Sequence, residues 1–151
     1  MDETAPATPG SWGVEDPIAF LTGVWSTERR LLDRASGISG TFSGLTTFTP
    51  DSDGLAWVEE GTACWPHFQA PASRTYRVSA VGATMIVRFP DQRVLCRLDL
   101  RTGRAQDVHG CPPDTYRVAF HIRAADAIEY SWDVTGPAKD QLLSTRLARV
   151  R

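Results

Sequence analysis

The sequence predicts an all-β protein: a single closed antiparallel β-barrel of about ten strands with one short N-terminal helix. Three observations lead there. From Val24 onward apolar and polar residues alternate with a period of two, the mark of half-buried strands. Gly, Pro, Asp and Ser break that alternation at short intervals. Many antiparallel strands joined by hairpins also leave unpaired edges unless the sheet closes on itself.

Taken in order, Asp16 before Pro17 starts a helix, a capping side chain followed by a ring preset at helical φ, and Gly23 keeps it short. Strands are expected near 24–34, 40–49, 54–64, 72–80, 84–89, 93–100, 103–109, 114–123, 127–135 and 139–150. The stretch from Trp65 to Pro71 reads as a loop, and Gly136-Pro137 as a hairpin turn at the rim. Without internal repeats, the chain divides into a loose N-terminal tail over 1–15 and a barrel domain over 16–151.

At 151 residues the chain is long enough for a sizeable core, and five Trp, six Phe and three Tyr supply it. A net charge of −2 and a pI near 5.9 provide no basic field for nucleic acid or an anionic membrane. Three cysteines at irregular spacing are not a disulfide framework. No hydrophobic signal core and no apolar run of membrane length is present, so a cytoplasmic protein with a small-molecule partner is expected. Its oligomeric state is open, a homodimer included.

Alternation sorts the residues by face. Phe42, Gly44, Thr46 and Phe48 share one, as do Leu55, Trp57 and Glu59, then Arg74, Tyr76 and Val78, and later Ile128, Tyr130, Trp132 and Val134. These aromatic rows should face inward. Arg29, Glu59, Arg74 and His109 ride on the same faces and must pair with each other, with water or with a ligand. Glu59 beside an Arg reads most simply as a buried ion pair; the sharper reading makes the Arg an anion anchor and Glu59 a general base.

Asp107, His109 and Cys111 alternate on one face, a spacing open to metal ligation, to acid–base use of His109, or to a strand end with a buried thiol. No metal site is assigned. His67 reads as a solvated loop residue and His121 as outward-facing, without a role. Lys139 reads as solvated or paired with Asp140.

Gly23-Val24-Trp25 at the mouth of the first strand resembles the opening motif of the calycins, the lipocalin, fatty-acid-binding and nitrobindin-like barrels. That resemblance implies that Trp25 plugs one end and that an Arg of the last strand, here Arg149, lies across its ring, a contact of ~0.5–2 kcal/mol. The span from 16 to 151 is similar to a lipocalin-like bacterial family of unknown function. The matching residues include Phe20 to Trp25, Arg29, Asp33, Phe42-Ser43-Gly44, Glu59-Glu60-Gly61, Arg74-Thr75-Tyr76, Asp107 to Cys111, Trp132 to Asp140, Thr145 and Arg149. It brings a fold and no activity. Nitrobindin-like barrels imply haem on a late His, but no His follows His121, so haem would have to use His109.

Three functions follow. The first is cofactor-free acid–base chemistry of the cyclase, isomerase or lyase type on a small aromatic or acidic molecule. Its catalytic residues would be His109, Glu59 and Tyr116, and its ligand contacts Arg29, Arg74, Tyr76, Trp57 and Trp132. The second is a non-catalytic binder or carrier anchored by the same Arg residues. The third is haem binding. No nucleophile elbow, phosphate loop or zinc-protease motif is present.

Overall fold

Asp16 caps a five-residue helix, α1 (Pro17–Leu21), its carboxylate accepting the Ala19 N–H at 3.1 Å. The chain then turns at Gly23, whose φ of 129° favours glycine, and enters the sheet. A computed structural model describes residues 10–151. It contains ten strands: β1 (Gly23–Asp33), β2 (Ile38–Asp51), β3 (Gly54–Trp65), β4 (Phe68–Val81), β5 (Thr84–Arg88), β6 (Val94–Asp99), β7 (Arg104–Cys111), β8 (Asp114–Ala124), β9 (Ala127–Thr135) and β10 (Asp140–Arg149). All pairs are antiparallel, and the order across the sheet is β6-β5-β4-β3-β2-β1-β10-β9-β8-β7. The up-and-down meander is therefore joined through β1 and β10, and curls until β6 meets β7 in a nearly closed barrel.

That last seam has no backbone ladder. Side chains bridge it instead: the Asp107 carboxylate accepts the Arg97 backbone N–H at 2.7 Å, and the Cys111 thiol donates to the Val94 carbonyl at 3.3 Å. Each covers a group that a missing neighbour strand would have paired.

Strand β4 corrects the expected loop. Phe68, Gln69 and Ala70 pair with Trp65, Cys64 and Ala63, so Pro66-His67 alone makes the turn. Pro71 is tolerated because β5 pairs only with residues 77–81, leaving the first half of β4 an edge, where a missing N–H costs no ladder bond.

The expected tail over 1–15 falls partly on residues 1–9, outside the described residues. Its remainder is docked: Trp12 and Val14 donate to the Ile122 and Leu100 carbonyls at 2.8 and 2.9 Å, and Val14 is buried. His121 faces outward and is occupied by this segment, its Nε2 lying 2.9 Å from the Ser11 hydroxyl.

The helix end of the barrel is sealed. Trp25 is fully buried, its indole N–H donating to the Leu21 carbonyl at 2.9 Å. Arg149, opposite Trp25 in the β1–β10 register, sets its guanidinium carbon 4.1 Å from that ring. The same guanidinium donates to the carbonyls of Phe20 at 2.8 Å, Thr22 at 3.3 Å and Ala125 at 3.1 Å. One side chain thus ties the helix, the first strand and the β8–β9 turn to the last strand. Trp25→Ala removes the plug and leaves a cavity, so it should cost about 3–5 kcal/mol; chemical denaturation measures it, and an unmoved midpoint would show that this end does not need its plug.

Candidate functional site

Antiparallel geometry puts the β1–β2, β3–β4, β7–β8 and β9–β10 hairpins at the end opposite α1. This end is open, and the inward charges lie towards it.

Register assembles them. Arg29 of β1 stands opposite Phe42 of β2 and Thr145 of β10, and Thr145 stands opposite Tyr130 of β9. The Arg29 guanidinium donates Nη1 and Nη2 to the two Glu59 oxygens at 2.9 and 2.5 Å, Nη2 also to the Tyr130 hydroxyl at 2.9 Å, and Nε to the Thr145 hydroxyl at 2.7 Å. Tyr130 in turn donates to Glu59 Oε2 at 3.0 Å. Arg29 and Glu59 are 4% and 1% exposed, which makes this a buried pair that only such full satisfaction allows. Burial acts to lower the Arg29 pKa, and Tyr130 and Glu59 more than offset it, so the guanidinium stays charged. Burial first, then Glu59, pushes the Tyr130 phenol well above its usual value and keeps it a donor.

Towards the sealed end the barrel is solid. Trp57 packs against Phe48, Tyr76, Tyr130 and Trp132 with ring centroids 5.0–6.1 Å apart, so Trp57 and Trp132, expected as ligand contacts, are walled in by other rings. The Trp57 indole N–H has no acceptor among the described residues.

Towards the open end a cavity of about 180 Å³ remains. Its walls include Leu31, Phe42, Ala63, Trp65, Ala72 and Leu143, with Arg29, Asp33, Glu59 and Arg74 as its charges. Glu59 stands opposite Arg74 in the β3–β4 register, but its carboxylate is taken by Arg29. Arg74 lies on the half of β4 that β5 leaves uncovered, and it is exposed. Its one hydrogen bond among the described residues runs to the Tyr76 hydroxyl at 3.4 Å, and it makes no ion pair there. Of the five N–H donors a guanidinium carries, Arg29 uses four; the second on Nη1 has no partner among the described residues. Two guanidinium ions and two carboxylates line the cavity, and Arg74 is the guanidinium that no ion pair among the described residues meets.

His109 and Tyr116 do not line this cavity. They face each other across β7 and β8 near the seam, with Tyr116 edge-on to Phe89 at 5.7 Å. Burial raises the Tyr116 pKa, so the phenol is a donor and not a base at neutral pH. Asp107 and Cys111, which flank His109, hold the seam. Lys139 lies 3.4 Å from Asp114, while Asp140 pairs with Arg34 at 2.7 Å, correcting the Asp140 partnership expected for that Lys. His67 is exposed in the β3–β4 turn.

A wider, shallow concavity of about 930 Å³ lies on the outer face of β1 and β7–β10. Of its charged residues Glu28 accepts from the Ser43 hydroxyl and Glu129 pairs with Arg123 and Arg146, while Arg30 and Arg104 are solvent-exposed and make no ion pair among the described residues; the inner cavity instead sets its charges against apolar walls. The inner cavity is the candidate site.

Sequence reasoning missed Phe42, Trp65 and Thr145 as site residues. Phe42 was placed inward by its alternation; Trp65 was hidden by reading a loop where a strand runs. Glu59→Gln leaves Arg29 buried without its counter-charge and should destabilise the fold by about 3–5 kcal/mol, whereas the pair replacement Arg29→Met with Glu59→Leu should recover part of that loss. Chemical denaturation of wild type, the single variant and the pair variant reads it.

The fold is shared with two solved structures. A protein of unknown function from Nostoc punctiforme, of the DUF3598 family, superposes with a TM-score of 0.61 at 12% identity over 95% of this chain; the match spans 52% of that protein, about half its length. An S-type phycobiliprotein lyase from Guillardia theta superposes with a TM-score of 0.64 at 10% identity, covering 94% of this chain and 95% of the other. No curated protein matches with significant sequence similarity. The DUF6314 profile, which describes a family of unknown function, matches residues 21–149, and the chain belongs to that family.

Proposed function

We propose that the protein binds a small organic anion in the open-end cavity, with Arg74 as the anchor, as a binder or carrier rather than an acid–base enzyme. The observation that carries this is the Arg74 guanidinium, without an ion pair among the described residues in a largely apolar pocket where Arg29 and Glu59 satisfy each other and Asp33 accepts the Ala35 N–H. A few placed polar groups in an apolar concavity are what small-molecule sites generally show. The fold shared with the lyase supports a barrel that holds a small molecule, and the Trp25–Arg149 clasp supports grouping it with the calycins.

Size narrows the ligand. The cavity is about 180 Å³, close to the ~150 Å³ apolar cavity that takes benzene and below the ~300–1,000 Å³ of drug-sized sites. Haem does not fit it, and His109, the one inward His, is not among its walls.

Acid–base turnover by Glu59, His109 and Tyr116 has less support. Both Glu59 oxygens are already held by Arg29, and His109 and Tyr116 lie outside the cavity lining. General acid–base groups must reach the bound molecule.

Arg74→Met keeps much of the side-chain volume and removes the charge. Losing a charged hydrogen bond should weaken binding of small carboxylates such as benzoate by about tenfold or more, with the denaturation midpoint held. Titration calorimetry with wild type and variant checks it; equal affinities would remove the anchor. His109→Gln should leave the same affinity unchanged, and a large loss there would bring the seam residues back into the site.

A further inference from the structure

We propose that the organic part of the ligand is a single planar ring seated against Trp65, so that the site selects aromatic over saturated monocarboxylates. The proposal rests on the anion-binding reading above and adds what lies beyond the charge.

Two aromatic side chains line the cavity, and each is bedded on a glycine of the neighbouring strand. A Cβ on Gly40 would stand 2.7 and 2.8 Å from Trp65 Cε3 and Cδ2, and 2.7 Å from the Cys64 carbonyl oxygen. Only a glycine there lets the Trp65 ring lie down against β2 instead of standing in the cavity. A Cβ on Gly61 would likewise meet Phe42 Cζ at 2.9 Å. Phe42 is occupied on one side, with the Arg29 guanidinium carbon 5.2 Å from its ring centroid. No ring or cation stacks on Trp65 among the described residues, although every other inward Trp is covered by one. It is the aromatic surface left for a ligand.

The neighbouring walls agree with that. Ala63 and Ala72 line the same cavity as Trp65 and Arg74, and their small side chains leave room beside the ring and the guanidinium. A carboxylate on Arg74 would carry one negative charge to the one guanidinium of the lining that no ion pair among the described residues meets. The volume admits one ring beside it and excludes a long chain or a fused polycycle. Ring pairs prefer offset or edge-to-face contact and gain over plain area burial, which a saturated ring of the same size does not.

The test compares benzoate with cyclohexanecarboxylate, equal in charge and close in size. Wild type should bind benzoate about three- to tenfold more tightly. Trp65→Leu should bring that ratio to about one while cyclohexanecarboxylate still binds, and Arg74→Met should weaken both acids alike. Equal affinities in wild type, or a preference that survives Trp65→Leu, would overturn the ring seat; if Arg74→Met still weakened both acids, the anion site would stand without it. Binding of neither acid by wild type would overturn both. If Trp65→Leu does not fold, magnetisation transfer from the benzoate ring protons to the Trp65 indole in wild type decides the matter, and its absence with benzoate bound refutes the seat.

Discussion

A guanidinium buried in the middle of a barrel must be matched on every side, and the arrangement around Arg29 follows from that. Desolvating it costs several kcal/mol before any partner is counted. Glu59, Tyr130 and Thr145 arrive from β3, β9 and β10, so the ion pair is satisfied only when those strands and β1 are in one register. A slip by one residue would turn Arg29 to solvent and Glu59 with it, or strand one without the other. The network therefore selects a register as much as it contributes stability. It also divides the interior, with packed rings towards α1 and open space towards the hairpins.

That division explains why the site sits where it does. Strands β1 to β4 run for 11 to 14 residues, whereas β5 has five and β6 has six. Long strands beside short ones leave the beginning of β4 without a neighbour on its β5 side, and Arg74 lies on that stretch. Had β5 been longer, its side chains would have covered the guanidinium or forced a partner on it. A guanidinium without an ion pair among the described residues persists here because the sheet is incomplete at this corner.

Much of this was legible in the sequence because the strands are long and the period is two. The helix follows from the Asp16-Pro17 start and the Gly23 stop, the ten strands and the inward placement of Arg29, Glu59, Trp57 and Trp132 follow from alternation, and the ion pair follows from two opposite charges on apolar faces. The exposure of Arg74 was not legible, since it depends on the length of a strand that does not contain it. His109 has inward parity and still misses the cavity: parity gives the face and not the position around the barrel, and β7 lies at the seam, beyond the strands that line the pocket. Trp65 was lost to a Pro-His pair that looked like part of a long loop and is a two-residue turn.

The same geometry argues about which groups are available for chemistry. A carboxylate can act as a base only if a lone pair is free and a reactant can reach it. Glu59 has one oxygen held by Arg29 and the other by Arg29 and Tyr130, at 1% exposure. Removing a proton from a ligand would require it to give up one of those contacts while leaving Arg29 less than neutralised. An ion pair that fixes register so completely is poorly suited to exchange protons, whereas Arg74, which fixes nothing else, is free to meet an anion. On the proposed reading, structural and binding roles fall to different charges of one small cluster, and Arg74, which makes no ion pair among the described residues, is the one that would recognise a ligand.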